Sequence, residues 1–571
     1  MNVYESDKGL LLSTLRMGVV SSVTANIARI NLKSAGAPSG TYFETGRYGL
    51  GEVGEFVLIE GQQSLILGRI VEIKLPESDR RAVNQDYAGS SGLDAIGNIQ
   101  LLGSVSMADD LSVTAGVDAY PRLGDRVYAA PDQFVALIPT LMEPEEDRKD
   151  QIRLELGFVG STQANAVTIS AEKLFGRHCA ILGATGGGKS WTTARIIEEC
   201  LKYKSKIILL DPSGEYRGLC GDTIIHCHLG DPVNKAAGSK DCALPQTCFQ
   251  ESDFIALFEP AGKVQGPKFR AAIRSLRLAK LVPEIAPSGF IEKINQEKAP
   301  IAKAEMKPGI SKKLDDPRQE FDVKYLVDQI EQECVWPSGF NNNSKWGKED
   351  GNFSYCLSLA TRIDGVLISP AFSCVFNCSR PSLTEQIDSF LEGSDRLLRI
   401  CLSGISYEYK AREIIANAIG RYLLNKARSG SFREHPLVMF VDEAHNFLGR
   451  SIGAEDSMAR LDAFEFLAKE GRKFGVNICL ATQRPRDITE GVLSQMGTLL
   501  VHRLTNDRDR ELVERACGEI DRSASAFLPN LKPGEAAIIG IDFPIPLTIQ
   551  MKKPTHRPES EGPDYHKYWK I

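Results

Sequence analysis

"CAILGATGGGKSWTTARIIEEC", residues 179–200, runs from a short apolar segment through three consecutive glycines into a Lys-Ser pair and then an amphipathic stretch. Gly183, Gly188, Lys189 and Ser190 fit the pattern G-x-x-x-x-G-K-[ST] without a mismatch. Each residue type has a physical reason. Glycines let backbone N–H groups curl around phosphate oxygens, a lysine neutralises β/γ-phosphate charge, and a serine hydroxyl ligates Mg²⁺. The apolar run before the turn predicts a strand, and "WTTARIIEEC" after it predicts a helix, the context that separates a phosphate loop from an ordinary glycine turn. The predicted nucleotide-binding segment is therefore Gly183, Ala184, Thr185, Gly186, Gly187, Gly188, Lys189, Ser190 and Trp191.

A phosphate loop needs a carboxylate for its metal. In "PLVMFVDEAHNF" four or five apolar residues predict a buried strand, and Asp442 emerges at its C-terminal edge, where ligands collect in open parallel sheets. Asp442 with Ser190 forms the predicted metal pair. Glu443 follows at once and is assigned as the general base that polarises the attacking water. The next strand ends in "CLATQRP", and Gln483 at its tip is placed to sense the γ-phosphate or orient water. Asp211 and Glu215 in "LLDPSGEY" close another strand at the same edge. Contact with water, a metal or a neighbouring subunit would explain them, and the turn chemistry of Asp-Pro and Gly explains them equally well.

The rest of the chain frames this core. Its 571 residues are too many for one ordinary core, and 25% charged with 42% hydrophobic residues describes a globular protein. Continuous apolar runs at "KIILL", "RLLRICLS", "PLVMFVDE", "GVNICLATQ" and "MGTLLVHRL" predict strands covered on both faces, hence an α/β fold with a parallel sheet. Residues 1–155 alternate in short runs punctuated by Pro and Gly, which predicts a small β-barrel or sandwich. The α/β core is expected over 156–250 and 396–550, interrupted by a helical insertion at 251–395, with a polar tail at 551–571.

No run reaches the ~20 apolar residues that cross a bilayer, and the start lacks a basic segment followed by a sustained apolar core. A cytoplasmic location without membrane contact is the expectation. Thirteen scattered cysteines suit a reducing compartment. Cys220, His226, Cys227 and His228 lack the second pair of ligands that a zinc knuckle needs, so an incidental strand is expected there. The net charge of −6 argues against a wholly basic surface. Residues 262–313 nevertheless hold twelve Lys/Arg against four acids, consistent either with a channel that holds phosphates without reading sequence or with a solvated helical face.

Taken in order, "RHCAILGATGGGKS", "LLDPSGEY", "LVMFVDEAHNF", "EGRKFGVNICLATQRP" and "LVHRLTNDRD" resemble the HerA family of hexameric DNA-translocating ATPases, relatives of the FtsK pumps. The resemblance implies a phosphate-loop NTPase of RecA-like fold behind an N-terminal barrel of the HAS type. It implies a homohexamer with ATP and Mg²⁺ at subunit borders and double-stranded DNA in the pore. It further implies a separate effector protein, a nuclease or an NAD-consuming enzyme, in DNA processing or anti-phage defence. Lys189, Ser190, Asp442, Glu443 and Gln483 match the family's phosphate, metal, catalytic and sensor positions, and Arg177 and Arg472 match arginines that act on a neighbour's ATP. Ser213 departs from the pattern, since many relatives carry histidine there, and the insertion is longer than the simplest members need. A ring scaffold that assembles and activates an effector, with ATP as a regulatory ligand, is the competing expectation. No nuclease, sirtuin-like or zinc-catalytic set is legible within the chain itself.

Overall fold

The computed structural model describes residues 9–32, 41–43, 46–75, 95–107, 110–160, 163–317, 319–339, 342–376, 379–452, 459–517, 522–560 and 565–570. Parts of the expected helical insertion and of the polar tail therefore lie outside the described residues. The chain forms two compact units. One comprises 1–203, 483–486 and 493–555, the other 204–482, 487–492 and 556–571.

The first unit begins with a closed antiparallel barrel. Around it run the strands Ile27–Leu32, Arg16–Val23, Arg126–Ala129, Phe56–Ile59, Leu65–Lys74 and Ala95–Ser106, and the last pairs back with the first. Closure settles the choice between barrel and sandwich that the sequence left open, and it removes the sheet edges that would otherwise invite pairing. Period-two burial shows why these segments are strands: along Ile27–Leu32, Ala28, Ile30 and Leu32 are buried while Arg29 and Asn31 are exposed. The interior is aliphatic, with Val20, Ile30, Val57, Ile59, Ile66, Ile70, Ile99 and Val127 among its members. Tight curvature requires glycine at Gly18, where a Cβ would lie 2.0 Å from the Asn31 carbonyl oxygen.

The same unit carries a mixed sheet in the order Ala166–Ser170, Arg153–Phe158, Phe543–Met551, Glu535–Gly540, Thr498–Val501, Cys179–Leu182. Only the last two run parallel, with Cys179 opposite Thr498 and Leu182 opposite Val501. The second unit carries a wholly parallel run in the order Val476–Thr482, Leu437–Val441, Lys206–Asp211, Leu397–Gly404, Ile224–Gly230, Lys240–Cys242. Four of these strands, Lys206–Asp211, Leu397–Gly404, Leu437–Val441 and Val476–Thr482, are continuous apolar runs of the sequence, buried along nearly their full length. The fold is α/β, as the pattern predicted.

Within the second unit, residues 251–392 supply the helices Glu251–Phe258, Gly262–Leu281, Leu326–Glu333, Asp350–Leu367 and Leu383–Glu392. Phe249, Phe254, Phe258, Phe269 and Phe321 pack ring against ring among them. A buried polar knot ties the first helix to the helix Ala411–Arg428. Asp253 is fully buried and accepts from Arg421 Nη2 at 3.0 Å and Asn417 Nδ2 at 3.1 Å, while also capping Gln250 N at 2.8 Å. Among the described residues no helix is long and apolar enough to cross a membrane.

Removing one partner of a buried, hydrogen-bonded charge pair strands the other. Asp253→Ala is therefore expected to lower stability by about 3–5 kcal/mol. Denaturant unfolding would register this as a lower midpoint, and an unchanged midpoint would contradict the assignment.

Candidate functional site

The phosphate loop is built as its sequence demands. The strand Cys179–Leu182 ends at Gly183, the loop turns through left-handed Gly186 (φ 75°) and Gly188 (φ 109°), and the helix Lys189–Cys200 begins directly after. Only glycine adopts those two conformations cheaply. Ala184 N donates to the Arg503 carbonyl at 3.1 Å and Gly187 N to the Ala184 carbonyl at 3.1 Å. Lys189 is 6% exposed, and Thr193 Oγ1 donates to its carbonyl at 3.0 Å. Trp191 follows on the first helical turn, with Lys553 Nζ 6.0 Å from its ring centroid. Gln483, which follows the strand Val476–Thr482, lies against the loop: Thr185 Oγ1 donates to Gln483 Oε1 at 2.5 Å.

Sequence reading missed the residue beneath this loop. His502 directly follows the strand Thr498–Val501 and is completely buried. Its Nδ1 lies 2.8 Å from the Glu535 carbonyl oxygen, which can only accept, so the ring proton sits on Nδ1. Nε2 then accepts from Thr192 Oγ1 at 2.9 Å. Burial, reinforced by the Lys189 ammonium, pushes the imidazole pKa down to about 4, so the ring is neutral under ordinary conditions. The signal in the sequence was a histidine at the C-terminal end of an apolar strand run, in "LLVHRL".

The carboxylates gather in the second unit. Asp442 follows the strand Leu437–Val441, is 4% exposed, and donates its N–H to the Leu210 carbonyl at 3.2 Å. Burial, then the neighbouring carboxylates Asp211, Glu443 and Glu215, raise its pKa well above the usual carboxylate range. Such crowding of buried negative charge favours a cation. Mg²⁺ at phosphate sites usually takes one or two protein carboxylates and fills its shell with water and phosphate oxygens. Among the described residues no group of three or more His, Cys, Asp or Glu is placed to hold a metal by itself. Glu443 adopts the left-handed region (φ 45°, ψ 42°), uncommon for a residue with a side chain and characteristic of functional positions. His445 Nδ1 lies 3.3 Å from Glu443 Oε2 and 3.2 Å from Thr482 Oγ1.

Asp211 has a different task. It is fully buried and paired with buried Arg399, whose Nε donates at 2.8 Å, and it accepts from Gly214 N at 2.7 Å and Tyr216 N at 3.1 Å. Both oxygens are thus engaged in holding the Pro212–Tyr216 turn, so turn chemistry accounts for Asp211. Glu215 sits on that turn and contributes to the field on Asp442.

The two arginines lie at the other ends of the strands. Arg177 precedes the strand Cys179–Leu182, away from the loop at its far end, and its Nε is 3.5 Å from Asp542 Oδ1. Arg472 lies in the turn Gly471–Phe474 before the strand Val476–Thr482. That strand is in register with Leu437–Val441, so about 15 Å or more of strand separates Arg472 from Asp442 and Glu443.

The basic stretch 262–313 is largely consumed within the unit. Arg270 pairs with Glu251 at 3.0 Å, Arg274 with Glu305 at 2.6 Å, Lys280 with Asp322 at 3.5 Å, Lys293 with Glu333 at 2.7 Å and Lys307 with Glu284 at 3.1 Å. Buried Arg277 donates to the Leu314 and Pro317 carbonyls. Lys263, Lys303, Lys312 and Lys313 are exposed, as are the paired Arg270, Lys280 and Lys307. His226 bonds the Leu219 carbonyl and His228 bonds Ser239 Oγ, both at 2.9 Å, while Cys227 alternates to the opposite face of their strand.

Two family descriptions match this chain: "Helicase HerA, central domain" over residues 154–335 and "Helicase HerA-like C-terminal" over residues 428–525. A probable helicase of Methanocaldococcus jannaschii is 21% identical over 518 residues, covering 88% of this chain and 86% of the relative. The probable DNA double-strand break repair helicase HerA of the same organism is 26% identical over 408 residues, covering 70% and 76%. Among solved structures, VirB4 of Thermoanaerobacter pseudethanolicus covers 71% of this chain and 97% of its own, at 15% identity and a TM-score of 0.44.

A depressed histidine pKa has a stability consequence of definite sign. Between pH ~4 and the free value of 6.5 the unfolded chain binds a proton at His502 that the folded chain refuses. Its contribution, about 3 kcal/mol, is fully present above pH 6.5 and is lost as pH falls towards 4. Chemical denaturation at pH 5 and 7 is expected to show this slope in the parent chain and a slope smaller by one proton in His502→Asn. Equal slopes would refute the neutral-ring assignment.

Proposed function

Because the chain belongs to the HerA-type ATPases, we propose that it is an ATP-hydrolysing motor acting on double-stranded DNA as a ring of six copies. In this reading Gly183–Ser190 cradle the triphosphate, with Lys189 on the β/γ-phosphates and Trp191 beside them. Ser190 and Asp442 would hold Mg²⁺, which would neutralise the negative charge that develops during transfer. Glu443 takes the proton of the attacking water, and Gln483, hydrogen-bonded to Thr185, orients that water or senses the γ-phosphate.

The observation that carries the ring is the position of the arginines. Arg177 lies at the start of the strand whose far end bears the phosphate loop, and Arg472 lies at the start of a strand in register with the one that ends at Asp442. Both guanidiniums are remote from those groups in their own chain, so their use as transition-state stabilisers requires another copy. A finger delivered across a border also couples hydrolysis to movement between copies. DNA is held through its phosphates, without sequence reading. Cutting or NAD-consuming chemistry, where the ring serves DNA processing or antiviral defence, belongs to a separate effector protein.

Lys189→Ala is expected to abolish nucleotide binding and turnover, while Glu443→Gln should bind ATP yet lose turnover by about 10²-fold or more. Steady-state ATPase assays with and without duplex DNA check both, and DNA should stimulate the parent. Turnover indifferent to DNA would favour the effector-activating scaffold instead.

The trans role has its own test. Arg472→Ala and Lys189→Ala chains, each inactive alone, should recover part of the ATPase activity when assembled together. Failure of mixed assemblies to recover, or full turnover by a monomer, would overturn the border site.

A further inference from the structure

The phosphate loop rests on a support that nucleotide chemistry itself does not require. Main-chain bonds bracket the position: His502 N donates to the Leu182 carbonyl at 2.7 Å, and Ala184 N to the Arg503 carbonyl at 3.1 Å, one on each side of Gly183. Between them the His502 side chain fills the floor of the loop. A Cβ at Gly183 would stand 2.6 Å from His502 Cβ, one at Gly187 3.3 Å from the same atom, and one at Gly188 3.3 Å from His502 Cε1. These glycines therefore serve a second purpose besides freeing amides for phosphate, since they let the loop lie directly on the imidazole.

The ring is also anchored at both nitrogens, and the anchors reach different parts of the loop. Nε2 accepts a hydrogen bond from the Thr192 hydroxyl, three residues beyond Lys189 on the first helical turn. Nδ1–H donates to the Glu535 carbonyl, and the preceding Gly534 donates its N–H to the Gly187 carbonyl at 3.3 Å. One imidazole thus joins the helix start and the turn that holds the crown of the loop.

We propose that His502 is a positioning residue for the nucleotide: through Thr192, the Gly534–Glu535 turn and direct packing under three glycines it holds the phosphate loop in its binding-competent shape before a triphosphate arrives. Loops that bind anions through main-chain amides lose affinity when those amides must first be ordered, and a rigid support removes that cost. His502 acts through the loop, so its loss weakens ground-state and transition-state binding together, raising KM more than it lowers kcat. The inference rests on the reading that this loop holds ATP.

The experiment measures binding of a fluorescent ATP analogue with Mg²⁺ to the full-length chain, alongside steady-state kinetics and thermal unfolding, for His502→Asn, Thr192→Val and the double variant. Asparagine can retain the donor towards Glu535 while breaking the link to Thr192, and valine breaks the same link while keeping the imidazole in place. Each single variant is expected to weaken nucleotide binding about tenfold, equivalent to about 1.4 kcal/mol. The double variant should be no weaker than the poorer single, since both remove one interaction. kcat at saturating ATP should stay within about threefold of the parent. Folded variants that bind as tightly as the parent, or two losses that simply add, would overturn the positioning role. Should His502→Asn fail to fold, Thr192→Val carries the test, because its ring and packing are intact. A parent chain that binds no nucleotide would overturn the reading of the loop as well as this inference, whereas a parent that binds and Lys189→Ala that does not, with unaffected His502 and Thr192 variants, would overturn this inference alone.

Discussion

Strand direction is the constraint from which the rest follows. In a parallel sheet every strand delivers its last residue to one edge and receives its first from the other. In the second unit Asp211 and Asp442 therefore emerge together at one edge, whereas Arg472 enters at the opposite one. In the first unit the same rule sends Gly183 and His502 to a common edge, because their strands run parallel and in register from Cys179 opposite Thr498. No loop closure could bring Arg177 round to Gly183 without dismantling the strand between them. Within each unit, then, strand direction alone sets these arginines at the opposite end of a strand from the loop or the acids.

The strand-end acids show how environment divides labour between identical side chains. Asp211 and Asp442 are both deeply buried and both end a central strand. Arg399 neutralises one of them and two backbone N–H groups complete its shell, so that carboxylate is structural. Asp442 lies among the carboxylates Asp211, Glu443 and Glu215 instead, and its burial penalises ionisation. Replacing Asp211 would strand buried Arg399, whereas replacing Asp442 would relieve a crowding of like charge.

How much of this was legible in the sequence depended on how local the cause was. The glycine turn between strand and helix, Asp442 and Glu443 after one strand and Gln483 after another could be placed because local pattern decides where strands end, and Gln483 does reach Thr185. Barrel closure could not, because it depends on Ile27–Leu32 pairing with Ala95–Ser106 far along the chain. The excess of cations in 262–313 left two readings open because several partners, Glu251, Asp322 and Glu333, lie outside that window, where a local charge count does not see them. His502 stayed hidden for the same reason: one of its partners is 310 residues earlier and the other 33 later.

That last case bears on how the barrel and the phosphate loop are related within the first unit. The Arg69 guanidinium, from a barrel strand, lies 4.1 Å from the centroid of the Phe527 ring and within 3.5 Å of Thr548 Oγ1. Thr548 pairs with Ala537 in the hairpin whose first strand begins at Glu535, the residue that anchors His502. Barrel and loop are therefore held by the same short piece of chain. Packed interiors transmit small displacements poorly by bending and well by discrete shifts of whole elements. A hairpin that shifts to follow the barrel must carry the Glu535 carbonyl with it, and with that carbonyl the imidazole on which the glycines lie.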